Sequence, residues 1–211
     1  PAAGADAQPE TPMIAPLPPD RLVLETPRLR LAPLTHADAD IARALLTDAE
    51  VMRYVAAPLT PEAVTRDLDD ATRRGAGGRI GIWCATRRDT GEKIGDGVLL
   101  PLPIEAEDTD WRAVVPEAYP PGPVEIGYLL VPSAWGRGFA TEICARLLRF
   151  AFEETDLAEL VAVTDPDNAR SQRVLAKCGL GPLGRRRAYA QDDVAWFAVT
   201  REAWRAAASP A

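Results

Sequence analysis

Three short stretches of this 211-residue chain combine residue types and spacings that do chemistry. In the first, Gly136-Arg137-Gly138 runs straight into an apolar-periodic segment that begins Phe139-Ala140-Thr141-Glu142. The first N–H groups of a helix have no partner within it, and the helix dipole adds positive potential there. An anion completes both, and glycine lets the backbone approach a phosphate closely. Arg137 places a fixed charge between the two glycines. In the second, Glu125 interrupts the otherwise apolar run VEIGYLLV, and a carboxylate in such a place can move a proton. In the third, DNARSQRVLAKCGL carries Asn168, Ser171 and Lys177 on one short helical repeat. Two nucleotide signatures fail on the glycine turn. A Walker loop needs Lys-Ser/Thr after its second glycine, and Phe139-Ala140 stand there. A dinucleotide turn needs a third glycine, and Thr141 occupies that place.

Elements must hold these residues. Residues 26–34 alternate Leu29 and Leu31 with Arg28 and Arg30, the pattern of a half-buried strand. Thr35 caps a helix carrying Ile41, Leu45 and Leu46. Thr60 with Pro61 opens a second helix that Gly75 stops. Residues 79–86 and 93–102 read as an antiparallel hairpin turned at 88–91. Residues 103–123 hold five prolines and form a long loop. Residues 124–131 form a fourth strand, and 139–154 a helix with Ile143, Leu147, Leu148 and Ala151 at helical spacing. Residues 157–165 enter a fifth strand, 168–179 form a short helix closed by Gly179, and strands follow at 186–190 and 194–200. The predicted order is β-α-α-β-β-β-α-β-α-β-β, in one domain of residues 21–205. Residues 1–20, rich in Pro and Ala, and residues 206–211 are expected to be disordered tails.

Composition bounds the function. The net charge is −7 and the hydrophobic fraction 47%, enough for a core. The acidic balance argues against nucleic acid and fits a basic substrate. No apolar run approaches a membrane span, and residues 1–20 lack the pattern of a signal peptide. Cys84, Cys144 and Cys178 lie far apart and His36 is the single histidine. No metal site is expected, and reduced core thiols fit a cytoplasmic protein.

The three stretches, in this order, closely resemble the GNAT family of acetyl-CoA-dependent N-acetyltransferases, in the branch acting on ribosomal-protein N-termini. The matching residues are Glu25 to Arg30 and Leu34, then Gly127-Tyr128, Pro132, Trp135-Gly136, Gly138 and Ala140-Thr141-Glu142. Asn168, Ser171, Val174-Leu175, Lys177 and Gly179 complete the set. The departures are Leu180 for an aromatic and a long loop before the fourth strand. Trp135 in place of the wider family's Arg or Gln is usual for the branch.

The resemblance implies a GNAT fold of class α/β (α+β mixed). Its mostly antiparallel mixed sheet is flanked by helices and splays open after the fourth strand. It also implies acetyl-CoA as cosubstrate. Pantetheine would enter the splay as a pseudo-strand on the backbone of Leu129 and Leu130. The pyrophosphate would take the N–H groups of residues 136–141, namely Gly136, Arg137, Gly138, Phe139, Ala140 and Thr141. Asn168 would bond the pantetheine amides, or cap the short helix. Arg170, Arg173 and Lys177 could meet the 3′-phosphate, or be solvated. The reaction implied is direct attack of an amine on the thioester, with Leu130 N–H holding the oxyanion. Glu125 is the candidate base, weighed against a solvent-facing or paired carboxylate. Ser171 is the candidate thiolate acid, with a plain CoA contact favoured. Tyr128 and Trp135 read as packing residues. Trp111 and Tyr119 either line the acceptor site or belong to an exposed loop. An α-amine titrates near ~7.7–8.0 and lysine near ~10.4, so a peptide N-terminus is the easier acceptor. The alternatives are a small-molecule amine, including an antibiotic, and a degenerate acyl-CoA-binding sensor. A homodimer is left open.

Overall fold

The computed structural model describes residues 14–208. The chain runs β1 (Leu24–Glu25), β2 (Leu29–Pro33), α1 (Ala39–Leu46), α2 (Ala49–Met52), α3 (Pro61–Ala71), β3 (Gly81–Arg87) and β4 (Lys93–Pro101). It continues as β5 (Val124–Leu130), α4 (Phe139–Glu154), β6 (Glu159–Thr164), α5 (Ala169–Lys177), β7 (Gly181–Ala188), β8 (Gln191–Thr200) and α6 (Arg201–Ala208). One eight-stranded sheet has the order β1-β2-β3-β4-β5-β6-β8-β7. Every neighbouring pair is antiparallel except β5 and β6. That parallel pair meets in register only at Glu125 and Val161. Beyond it the two strands part, so the expected splay follows β5; the two-residue β1 shifts the strand count by one.

The local reasons match the sequence. In β2, Leu29 and Leu31 are buried while Arg30 is exposed. Thr35 and Asp38 form a reciprocal capping box ahead of α1. Thr60 accepts the Ala63 N–H at 3.2 Å and Pro61 opens α3. That helix ends at Ala71, four residues short of the expected Gly75 stop, which instead bridges to Ile80. Buried Ile143, Cys144, Leu147 and Leu148 line α4, which lies over one face of the sheet. Gly97 permits this approach, because a Cβ there would sit 2.6 Å from Ile143 and 2.7 Å from Leu147. The opposite face of β3 to β5 carries α1 to α3 over Cys84 and Leu129.

Part of each expected tail belongs to the fold. Residues 14–20 lie along the core, with Ile14 and Leu17 packed on it and Leu17 N–H on the Gly77 carbonyl at 2.8 Å. Residues 206–208 continue α6. The rest of both expected tails, 1–13 and 209–211, lies outside the described residues. β7 and β8 also begin earlier than expected, at Gly181 and Gln191. Trp111 and Tyr119 pack on the main core, and Tyr119 Oη accepts the Asp156 N–H at 3.4 Å, just past the C-terminus of α4. That puts Tyr119 at the end of α4 away from the glycine turn.

Candidate active site

The glycine turn sits between β5 and α4, after a 3-10 turn at Pro132–Ala134. Gly136 and Gly138 have φ of 70° and 81°, which L side chains rarely adopt. Gly138 is the N-cap of α4 and supplies no side chain, so the N–H groups of the first turn stay uncapped. Glu142 N–H is the first to close an α-helical bond, to Gly138 O at 3.1 Å. A Cβ on Gly136 would meet nothing within 4 Å, so its outer side is open. An oxyanion such as a pyrophosphate fits this arrangement on donor chemistry and on space.

Arginine sets the turn in place. Arg28 donates to the Arg137 carbonyl at 2.9 Å and to Glu142 at 2.7 Å, and stacks 4.5 Å over the Phe139 ring. Thr26 donates to the same Glu142 at 2.5 Å. Burial pushes the Glu142 carboxyl up, but the Thr26 and Arg28 bonds outweigh it and hold it below its ordinary range. The ETPRLR segment, through Thr26 and Arg28, therefore anchors the turn. Arg28, Arg87, Arg88 and Arg137 also line a surface cavity of about 450 Å³ beside it.

The open edge of β5 forms the second part of the site. Val131 N–H crosses to Ile94 O at 3.0 Å, and Leu129 N–H meets Asp96 Oδ1 at 3.0 Å. Both point toward β4. Strand alternation therefore turns Leu130 N–H to the other edge, which β6 has left. The Leu130 carbonyl is held by the Trp135 indole N–H at 2.7 Å, and the Arg170 guanidinium lies 5.8 Å from the Trp135 ring. Leu130 N–H thus fits the expected role, whereas Leu129 N–H is already engaged by Asp96. Across the splay, Tyr128 Oη lies 3.1 Å from Ser171 Oγ and donates to Ser171 O at 3.3 Å. Tyr128 is therefore more than packing: it ties β5 to α5, with burial raising its phenol above the ordinary range. Asn168 Oδ1 accepts Ser171 N–H at 3.1 Å, the capping alternative. Lys177, Arg170 and Arg173 are exposed along α5, and none has a carboxylate partner among the described residues.

Two carboxylates share one face of the sheet by strand register. Glu125 is 7% exposed, at the last paired position before the splay. Tyr189 Oη donates to its Oε2 at 2.5 Å. Burial pushes the Glu125 carboxyl up to about 7, against the Tyr189 bond and a Val163 backbone bond. Tyr189 and Ala190 hold φ of 52° and 55°, a costly state for L residues. Their N–H groups bond Pro103 O at 2.9 Å and Ile104 O at 3.2 Å, so the long loop keeps Tyr189 over Glu125. Asp96 was not among the residues singled out from sequence. Burial pushes it up to about 7, opposed by the Leu129 N–H bond. The available signal was the same as for Glu125: an acid inside an apolar strand, in KIGDGVLL. His36 pairs with Asp69 at 2.7 Å on the surface. Cys84, Cys144 and Cys178 are free thiols. Among the described residues no three His, Cys, Asp or Glu side chains cluster as metal ligands, and no helix is long and apolar enough to cross a membrane.

The family model of the acetyltransferase (GNAT) domain matches residues 28–181. The chain belongs to the GNAT acetyltransferase family. It is 34% identical over 163 residues to FsC-acetyl coenzyme A-N(2)-transacetylase of Aspergillus fumigatus, covering 74% of this chain and 64% of that one. The chain thus spans just under two thirds of that relative's length. Two solved GNAT structures share the fold. Aminoglycoside acetyltransferase AAC(6')-Ib in complex with coenzyme A has a TM-score of 0.65 at 21% identity, over 86% of this chain and 99% of that one. RimL, the ribosomal L7/L12 alpha-N-protein acetyltransferase, in complex with coenzyme A, has a TM-score of 0.66 at 14% identity over the same shares, 86% and 99%. At these identities both likenesses concern the fold alone.

Proposed function

We propose that this GNAT acetyltransferase transfers an acetyl group from acetyl-CoA to a protein N-terminal α-amine by direct attack on the thioester. The observation that carries the donor half is the pairing of an uncapped glycine-turn helix N-terminus with the strand edge opened beyond Glu125. In this reading residues 136–141 hold the pyrophosphate, and Asn168, Ser171 and the exposed cations of α5 contact the rest of CoA. Leu130 N–H receives the thioester oxygen as negative charge develops. Glu125 takes the amine's proton through water, a task matched to a carboxyl near neutrality. Ser171, bonded to Tyr128, can return a proton to the leaving thiolate. A thiol titrates near ~8.5, so that step assists rather than limits.

The α-amine is favoured by its own chemistry. It is easier to deprotonate than lysine by about 2.5 pH units, or roughly 3.5 kcal/mol, and Glu125 is an enclosed carboxylate for the task. A small-molecule amine is the second reading, favoured by the name of the 34% identical relative, an N(2)-transacetylase. Two measurements test the proposal. Acetyl-CoA should raise the melting temperature while ATP and NAD do not. Thiol release should then appear with free-N-terminus peptides and not with N-blocked lysine peptides. Turnover confined to polyamines or aminoglycosides would overturn the α-amine reading and keep the donor half.

A further inference from the structure

The cavity of about 450 Å³ beside the glycine turn has no part in the mechanism above. Four arginines line it, Arg28, Arg87, Arg88 and Arg137, against one carboxylate, Asp89. Three chain segments bring them together. Arg28 precedes β2, next to Leu29, whose register partner is Arg87 at the end of β3. Arg88 begins the turn to β4, and its N–H bonds the Arg28 carbonyl at 2.9 Å. Arg137 comes from the glycine turn. Three of the guanidiniums gather around the buried Phe139 ring, Arg28 at 4.5 Å, Arg137 at 5.2 Å and Arg87 at 6.0 Å from its centroid.

Like charges gathered this closely repel one another, and they do so here in a chain whose net charge is −7. Protein carboxylates answer only part of the positive charge. Arg28 pairs with Glu142 at 2.6 Å, and Arg87 with Asp89 at 2.7 Å and Glu92 at 3.3 Å. Arg88 reaches Glu25 only at 3.9 Å, and Arg137 has no carboxylate partner among the described residues. Arg88 is steadied by the Thr26 carbonyl at 2.8 Å, yet its side chain stays 46% exposed, so donors remain for a ligand. Guanidinium forks match phosphate oxygens in geometry and charge. We infer that this cavity is a second anion site, separate from the backbone cradle at 136–141, and that it takes a phosphate monoester. Such a group carries nearly two negative charges at neutral pH, which suits several arginines better than one carboxylate does. Two sources carry it: the 3′-phosphate at the nucleotide end of CoA, and a free phosphate compound. The first rests on the acetyl-CoA reading of the glycine turn, and it leaves Arg170, Arg173 and Lys177 of α5 to other parts of CoA. The second stands without that reading.

Calorimetric titration of the full chain tests the site with acetyl-CoA, acetyl-3′-dephospho-CoA and inorganic phosphate, in the wild type and in Arg88→Ala. If the group is CoA's own, the wild type binds acetyl-CoA about tenfold or more tighter than the dephospho donor, the scale of one charge-assisted bond. Arg88→Ala then loses that preference by weakening acetyl-CoA alone, Arg88→Lys regains part of it, and added salt narrows it. If the group is free, inorganic phosphate binds the acetyl-CoA-saturated wild type and not Arg88→Ala, while the two donors bind alike. A preference that survives in Arg88→Ala, or an equal loss for both donors, excludes CoA as the source. With no binding of inorganic phosphate either, the site is overturned. If acetyl-CoA does not bind at all, the donor reading has failed, and phosphate titrated into the free chain decides the cavity. Heat that Arg88→Ala abolishes supports the site; heat that is absent, or unchanged in the variant, overturns it.

Discussion

Glu125→Gln separates the chemistry of that carboxyl from its packing. Glutamine keeps the shape and still accepts the Tyr189 hydroxyl, but it cannot ionise. The folded carboxyl titrates near 7 against an ordinary 4.5, because burial disfavours its charged form. Within that window the unfolded chain has released the proton and the folded chain retains it. Stability therefore falls as pH rises from about 4.5 to about 7 and is flat above. A gap of about 2.5 pH units, at about 1.36 kcal/mol each, comes to about 3–4 kcal/mol across the window. For a domain of this size that is about 7–14 °C in melting temperature. Calorimetry from about pH 4.5 to about pH 8 should show the wild type losing that much more than the variant. Asp96, unchanged in both, cancels to first order. In turnover, the variant should lose about 10²–10⁴ in kcat/KM together with the acidic limb of the profile. Melting curves that run parallel across the range would refute a raised Glu125, and an intact acidic limb would refute its role as base.

Tyr189→Phe removes the bond that lowers Glu125, so the acidic limb of kcat/KM should move to higher pH while acetyl-CoA binding is retained; pH–rate profiles check this. Gly138→Ala forces an L residue to φ 81° at the cap of α4, which should cost about 1 kcal/mol or more and abolish the acetyl-CoA thermal shift. Ser171→Ala removes the Oγ half of the Tyr128 link, leaving the backbone bond, and with it the proposed CoA contact; calorimetric titration should show acetyl-CoA affinity down about tenfold, the scale of one hydrogen bond. Arg28→Ala unpairs Glu142 and frees the Arg137 carbonyl, so the Glu142 carboxyl should titrate higher by NMR and acetyl-CoA should bind more weakly.

The sequence by itself determined the glycine turn, the helix it opens and the family they belong to. Short-range chemistry is written locally: positive φ at Gly136 and Gly138, the helix that follows them, and the Asn168 cap are all properties of neighbouring residues. The alternation of β2 and the apolar stripe of α4 were legible for the same reason. The tertiary structure decided what depends on residues far apart in the chain. Arg28 reaches Glu142 only because β2 and α4 pack together, and Tyr128 finds Ser171 only across the splay. Tyr189 meets Glu125 through a hairpin strapped to the long loop, which makes a strand glutamate a buried acid near neutrality. Trp111 and Tyr119 pack on the main core because apolar residues in a loop follow the nearest unfilled core, whatever the sequence before them suggests. Asp96 escaped notice because a lone acid in a strand reads alike whether it faces water or a site. Only strand register put it beside Leu129, on the same face as Glu125.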